Sequence, residues 1–274
     1  MEEKTCAILK NCPTSVFDAN YPNFEVLFVD NASTDDSVEF VKRNFGQNLR
    51  LRTIRNERNF GFAEGNNIGI RNAKGKCIAL LNSDTKVDPE WLEELVEVIE
   101  YPGVGAVQSK LLAMDSPDLL DCAGGFIDYY GYHFERGLHE VSNKYNKIGE
   151  IFYSKGASIA VKRKVLEKTG LFDPDIFLYF DDVDLCWGIW LNGYKVPFVP
   201  KSIVYHASSS IASKLQERTR LYFYVRNHVL ALLKNYDRNN MLKAVTVSII
   251  FEIRRTFLFL ARHKPLLVWL LSKH

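Results

Sequence analysis

The sequence predicts an α/β fold: a mixed, mostly parallel sheet flanked by helices, followed by a helical C-terminal extension. Three observations predict it. Apolar runs of about five residues recur at Glu25–Val29, Cys77–Leu81 and Val104–Gln108, and such continuous runs mark strands buried on both faces. Segments of helical character separate them, as crossover connections require. Polar clusters follow Val29 and Leu81, at the carboxyl ends of strands, where sheets of this kind bind ligands.

The elements follow in order. Glu25–Val29 is a strand ending in Asp30-Asn31-Ala32-Ser33-Thr34-Asp35-Asp36, a turn rich in N-cap residues. Ser37–Phe45 is a helix stopped by Gly46, Leu49–Arg55 a second strand, and Phe62–Ala73 a helix closed by Gly75. Cys77–Leu81 is the third strand. Asp88-Pro89-Glu90 opens a helix running to about Tyr101, with an N-cap, Pro at the first helical position and an early acid. Val104–Gln108 is a further strand. Glycines and tyrosines between Ser109 and Tyr153 suit short antiparallel strands and loops. Ala157–Val161 reads as a strand, Lys164–Thr169 and Asp182–Leu191 as helices, Tyr194–Val199 as a last strand, and the chain from Leu215 as helical.

The composition is globular: 274 residues, 47% hydrophobic and 25% charged, with 35 Lys+Arg against 33 Asp+Glu. That balance excludes a disordered chain and a surface dedicated to gripping nucleic acid. Five scattered cysteines without a CxxC pair suggest neither a zinc site nor a disulfide framework, and point to a reducing compartment. Met1-Glu2-Glu3-Lys4 lacks the apolar core of a signal peptide.

Five segments carry chemistry. Asp30-Asn31-Ala32-Ser33-Thr34-Asp35 offers a carboxylate to a base or ribose, or is simply a helix cap. In Asn59-Phe60-Gly61-Phe62-Ala63-Glu64-Gly65-Asn66-Asn67-Ile68-Gly69 the glycines allow close backbone approach at a helix N-terminus, which favours phosphate. Asn82-Ser83-Asp84 offers an oxygen ligand for a divalent cation held by a diphosphate. Asp181-Asp182-Val183-Asp184 crowds three acids beside aromatics, and crowding with burial raises a carboxyl toward a base's working range. Tyr205-His206 follows the last strand, ahead of a polar run, Ala207–Ser210, that could reach the same crevice.

In this order, and with Gly156-Ala157 between the third and fourth, these segments resemble the inverting glycosyltransferases of family 2. The resemblance is closest to the rhamnosyltransferase-like branch, with its NASTD, NxGFAxGNNxG, LNxDT and (E/D)DVDLC segments, and covers about residues 10 to 235. It implies a GT-A fold and a nucleotide-diphospho-sugar donor. Asp30 and Ser33 would meet the nucleoside, and Gly61, Asn67 and Gly156 would line the donor side. Asn82 and Asp84 would form the DxD-type motif that meets diphosphate and Mn²⁺ or Mg²⁺, with His206 a further metal ligand. Asp182 would deprotonate the acceptor hydroxyl, with Asp181 and Asp184 orienting it. The acceptor would be a glycan or lipid-linked sugar. A donor-binding pseudoenzyme and a nucleotidyltransferase are the alternatives.

Members of this family open with an apolar strand. Here Met1–Leu9 offers at most Cys6–Leu9, and Leu9–Phe17 resembles the following helix interrupted by Pro13. The expectation is a catalytic domain over 1–212 whose first strand is missing or degenerate, and a helical region over 213–274. From Lys234 onward eight basic residues face two acids. The apolar, basic stretch Leu242–Leu271, with Arg254, Arg255, Arg262, Lys264, Phe257, Phe259 and Trp269, suits the interface of an anionic membrane. Packing on the body or in a homodimer is the other reading. The expected location is the cytoplasmic face of the cell membrane.

Overall fold

The structure is a computed structural model and describes residues 11–208 and 216–262, with side chains to residue 254. Helix α1 covers residues 11–17. Strand β1 (Val26–Asp30), helix α2 (Ser37–Phe45), β2 (Leu51–Arg55) and α3 (Gly61–Asn72) form a first unit in which β1 and β2 pair in parallel. Then come β3 (Cys77–Leu81), β4 (Thr85–Val87), α4 (Trp91–Ile99), β5 (Ala106–Ala113), β6 (Ser116–Cys122), β7 (Gly125–Ile127), β8 (His133–Glu135) and β9 (Gly149–Glu150). The chain continues through β10 (Ser158–Lys162), α5 (Arg163–Thr169), α6 (Asp181–Leu191), β11 (Pro197–His206), α7 (Glu217–Asn235) and α8 (Arg238–Arg262).

The larger sheet has the order β3-β10-β5-β11-β4, with β6 on β5 and β9 on β11. It is mixed. Strands β3, β5 and β11 run in one direction, while β10 and β4 oppose them. The period-2 alternation of strand side chains divides its residues between two cores. Val107 and Leu111 of β5 and Ala160 of β10 pack with Trp91, Leu95 and Ile99 of α4. Ala106, Leu112, Ile159 and Val161 point the other way, toward Val183, Cys186 and Ile189 of α6. Ala231 and Leu232 of α7 and Ala244 of α8 belong to this second core, so these two helices pack against the sheet's helical layer.

One expectation from the sequence changes, and one strand is added. Pro13 stands inside helix 11–17 without interrupting it, because its ring presets φ near the helical value. Thr85–Val87, a segment the sequence pattern does not mark, pairs with Val204–His206 as β4. Among the described residues no strand joins β1 to β3. The segment Lys4–Leu9 lies outside the described residues, as do residues 263–274 with Lys264 and Trp269. No helix among the described residues is long and apolar enough to cross a membrane.

Candidate active site

The β3–β4 turn is held from three sides. The Asn82 N–H donates to the Ala157 carbonyl at 3.1 Å, and Ala207 N–H donates to the Asp84 carbonyl at 3.0 Å. Thr85 Oγ1 donates to Asn82 O at 2.6 Å. Helix α1 packs beneath, where Ser15 Oγ accepts the Val87 N–H at 3.1 Å. Since β4 pairs with the end of β11, the turn brings Asp84 to His206, whose Nε2 stands 3.3 Å from Asp84 Oδ1. The other ring nitrogen, Nδ1, is 2.9 Å from Asp121 Oδ2. Burial by itself disfavours the imidazolium, but the hydrogen bonds to Asp121 and Asp84 outweigh it and raise the His206 pKa to about 9.

The residues present fit a divalent cation. Carboxylate and imidazole suit Mn²⁺ or Mg²⁺, and adjacent vertices of an octahedral shell with ~2.1 Å bonds lie about 3 Å apart. Among the described residues no cluster of three or more acids, histidines or cysteines is arranged to hold a metal. Asp84 and His206 are thus one oxygen and one nitrogen donor at a spacing that a single such cation could bridge.

The acid cluster opens α6. Tyr179 and Phe180 precede it with φ of 65° and 67°, a left-handed pair that non-glycine residues adopt only when held there. Helix α7 holds it: Asn227 Nδ2 donates to the carbonyls of Leu178 at 2.7 Å and Tyr179 at 3.2 Å. Asp182 is half-buried. Its Oδ2 accepts the Gly156 N–H at 3.0 Å and its Oδ1 the Val183 N–H at 2.8 Å. Burial raises its pKa, against the opposing effect of those two N–H groups and Lys155. Asp181, buried, is raised well above the ordinary range by that burial and by the charge of Asp182. Asp184 is buried and bound by α7, with Lys234 Nζ at 2.6 Å and Asn235 Nδ2 at 2.7 Å.

On the β1 side Asp30 is buried. Its Oδ1 accepts the Ser33 N–H at 3.1 Å. Among the described residues its Oδ2 has no hydrogen-bond partner, and Arg55 Nε stands 3.6 Å from it. Such a buried, under-satisfied oxygen is an acceptor open to a ligand. Asn31 donates to Asn59 Oδ1 at 3.0 Å and to the Gly61 carbonyl at 2.8 Å, and accepts the Phe60 N–H at 3.1 Å. Gly61 has φ of +80°, and a Cβ there would stand 2.5 Å from the Phe177 ring. The Phe62 N–H reaches the Phe177 carbonyl at 3.0 Å, and a Cβ on Gly156 would meet the Phe62 ring at 3.0 Å. This chain of contacts runs from the β1 loop to the acid cluster. Asn67 is placed otherwise: its amide bonds Phe172 O at 2.8 Å, Phe172 N at 3.1 Å and Glu64 at 3.0 Å, tying α3 to the Phe172 loop.

Several contributors are not evident from the sequence. Asp121 sits in an otherwise apolar run ahead of Gly124-Gly125, and this isolated acid is its only local signal. Lys155 bridges Asp121 at 3.0 Å and Glu135 at 3.1 Å while the next residue supplies the N–H to Asp182. Asn227, Lys234 and Asn235 act across more than forty-five residues of sequence, beyond any local pattern.

Residues 3–170 match glycosyl transferase family 2. Glycosyltransferase GlyG of Streptococcus pneumoniae serotype 4 is 28% identical over 70% of this chain and 63% of its own length. O-antigen biosynthesis protein RfbC of Myxococcus xanthus is 30% identical over 69% of this chain and 15% of its own. The chain thus spans less than two thirds of either relative. The UDP-Glc:alpha-D-GlcNAc-diphosphoundecaprenol beta-1,3-glucosyltransferase WfaP of Escherichia coli is 26% identical over 75% of both chains. GalNAc-T7 solved with UDP, GalNAc and Mn²⁺ superposes with a TM-score of 0.66 at 20% identity, over 85% of this chain and 46% of that one. The mannosyltransferase PcManGT of Pyrobaculum calidifontis, solved with GDP-Man and Mn²⁺, superposes with a TM-score of 0.61 at 18% identity, over 96% and 79%. These structures show a shared GT-A fold. With the family match over most of the chain, the conclusion is that this protein belongs to glycosyltransferase family 2.

Proposed function

We propose that the protein transfers a hexosyl or rhamnosyl group, with inversion, from a nucleotide-diphospho-sugar to a hydroxyl of a glycan or lipid-linked acceptor in cell-surface polysaccharide or glycoconjugate synthesis. The observation that carries this reading is the Asp182 carboxylate, held by the Gly156 N–H at 3.0 Å and joined through Lys155 and Asp121 to the Asp84–His206 pair. Direct displacement at an anomeric carbon needs a base on one side of the sugar and charge neutralisation of the leaving diphosphate on the other. Asp182 takes the acceptor proton while the acceptor oxygen attacks and the diphosphate departs. The raised pKa of Asp182 suits proton abstraction. Asp181 and Asp184 flank it on α6 and fix the helix start. Asp30 receives the nucleoside at its open oxygen, beside Ser33. Gly61 and Gly156 line the donor side, where they let the Phe177 and Phe62 rings pack against the backbone, and Asn82 and Asp84 face the diphosphate. Asp84 and His206 would hold Mn²⁺ or Mg²⁺, which supplies positive charge against the diphosphate.

Residues 1–212 form the catalytic body in this reading, and 213–274 the helical region that closes the acid loop and meets the membrane at its cytoplasmic face. Exposed Leu242, Ile249, Ile250 and Ile253 lie on one stripe of α8, opposite buried Ala244 and Ser248, with Lys243 and Arg254 on the same helix.

A donor screen tests the proposal. Release of nucleoside diphosphate from UDP-, GDP- or dTDP-sugars in the presence of acceptor, stimulated by Mn²⁺ or Mg²⁺ and lost in Asp84→Ala, is the expected result. Donor binding without turnover on any acceptor would favour a pseudoenzyme, and release of pyrophosphate a nucleotidyltransferase.

A further inference from the structure

His206 stands between two carboxylates. Its Nε2 faces Asp84 Oδ1 at 3.3 Å, and its Nδ1 faces Asp121 Oδ2 at 2.9 Å. Asp121 lies near the end of β6, off the strand ends that carry the donor motifs, and its carboxylate is fully engaged. Oδ1 accepts the Ser208 hydroxyl at 2.8 Å, and Oδ2 also receives Lys155 Nζ at 3.0 Å. The ring is buried, at 6% exposure, and so is Asp121. An imidazole that ligates through Nε2 must carry its proton on Nδ1, and an acceptor at Nδ1 fixes both that tautomer and the ring plane. Asp121 occupies the Nδ1 side, so it cannot share a cation held at Nε2.

We propose that Asp121 is a positioning residue that, anchored by Lys155 and Ser208, aims Nε2 of His206 at the cation beside Asp84. The proposal rests on the reading of Asp84 and His206 as the metal–diphosphate pair. Lys155 gives it reach. Its ammonium braces Asp121 and its following peptide N–H holds Asp182, so one residue sets both the leaving-group side and the acceptor side of the crevice.

The experiment is a double-mutant cycle on the full chain, read as Mn²⁺ affinity in the presence of inorganic pyrophosphate, by the electron paramagnetic resonance signal of free Mn²⁺. Asp121→Ala should weaken Mn²⁺ by about 10–100-fold, the usual effect of removing an outer-shell partner. It should add almost nothing in a His206→Ala background, because the two residues act as one unit. Asp121→Asn, which keeps the volume and one acceptor oxygen, should give a smaller loss. It carries the same cycle if the alanine variant does not fold. Equal losses in both backgrounds would make Asp121 a structural residue only and overturn the proposal. Unchanged affinity in Asp121→Ala would also overturn it while leaving the metal reading intact. If His206→Ala itself binds Mn²⁺ normally, the metal reading fails and the positioning role falls with it.

Discussion

Lys234 reaches from α7 to Asp184 on α6, with Nζ 2.6 Å from Oδ2. The carboxylate is buried and the ammonium about half-exposed, at 47%. This pair, with Asn235 on the other Asp184 oxygen, locks α7 against the start of the acid cluster. The third acid of the motif is thereby an anchor between α6 and α7.

Lys234→Met leaves Asp184 with one neutral partner. Breaking a fully buried pair costs about 3–5 kcal/mol. Solvent already screens Lys234, so the expected loss is about 1–2 kcal/mol, read from urea unfolding. A second change, Asp184→Asn, removes the uncompensated charge and should recover part of it. No loss in the single variant would show that Asn235 suffices.

Asp182→Asn preserves the shape of the side chain and its acceptor oxygen toward Gly156. Turnover should fall by at least the ~10²-fold typical of a general base, with donor affinity, measured calorimetrically, nearly unchanged. Turnover close to wild type would move the base elsewhere.

Burial raises both Asp181 and Asp182 above the ordinary carboxylate value of 3.8, and the charge of Asp182 raises Asp181 further. The acid limb of kcat/KM should therefore have its midpoint above that value, and Asp181→Asn should leave it nearly in place, because Asp181 is still protonated where Asp182 titrates. The stability sign follows from linkage. Because the folded state binds the extra protons, these two groups favour the fold most below pH 3.8, and the contribution is lost as pH rises through their raised values. Asp121 does the reverse. Burial would raise it, but His206 and Lys155 hold it well below the carboxylate range, so its contribution is lost as pH falls below 3.8. Melting curves of wild type and Asp181→Asn from pH 4 to 8 check the first sign.

Gly61→Ala places a Cβ at a φ of +80°, 2.7 Å from the Phe177 carbonyl. The left-handed conformation alone costs about 1–3 kcal/mol, and the backbone oxygen cannot yield without moving the loop that carries Phe180. Lower thermal stability and weaker donor binding should appear together. Stability loss with unchanged donor affinity would confine Gly61 to a structural role.

The full chain should co-sediment with anionic vesicles, while Ile249→Ser/Ile250→Ser/Ile253→Ser should not, since the exposed apolar stripe of α8 is removed and the charge is kept. Equal binding by both proteins would exclude this stripe, and concentration-dependent dimerisation of the wild type alone would assign it to a second copy.

Much of the fold was legible because its signals are local. The apolar run Cys77–Leu81 and the helix Ser37–Phe45 stop where their sequences say. The end of β11 at His206 was not, because Pro200, Lys201 and Ser202 interrupt the apolar pattern. There the register shifts between Val199 and Ile203, and Ser202 turns inward to donate to the Trp91 carbonyl at 2.9 Å. At the site, residues on one motif could be read from spacing: Asp84, Asp182, Gly61. Their partners could not, since Asp121, Lys155 and Asn227 meet them only through tertiary packing. Asn67 shows the converse. A motif position read as donor-lining places its amide between α3 and Phe172, because a buried amide must satisfy both ends.

The strand order also governs how the molecule comes into being. Along β3-β10-β5-β11-β4 no two neighbours are consecutive in the chain. Cys77–Leu81 waits for Ser158–Lys162, and Thr85–Val87 waits for Val204–His206. Closing loops of this size costs entropy before any pairing is gained, which slows folding. On the ribosome the central sheet cannot close until His206 has left the exit tunnel, and until then several apolar strands emerge without their neighbours. Refolding should be slow compared with that of a helical protein of the same length, and nascent chains stalled short of His206 should be chaperone clients and readily degraded by proteases.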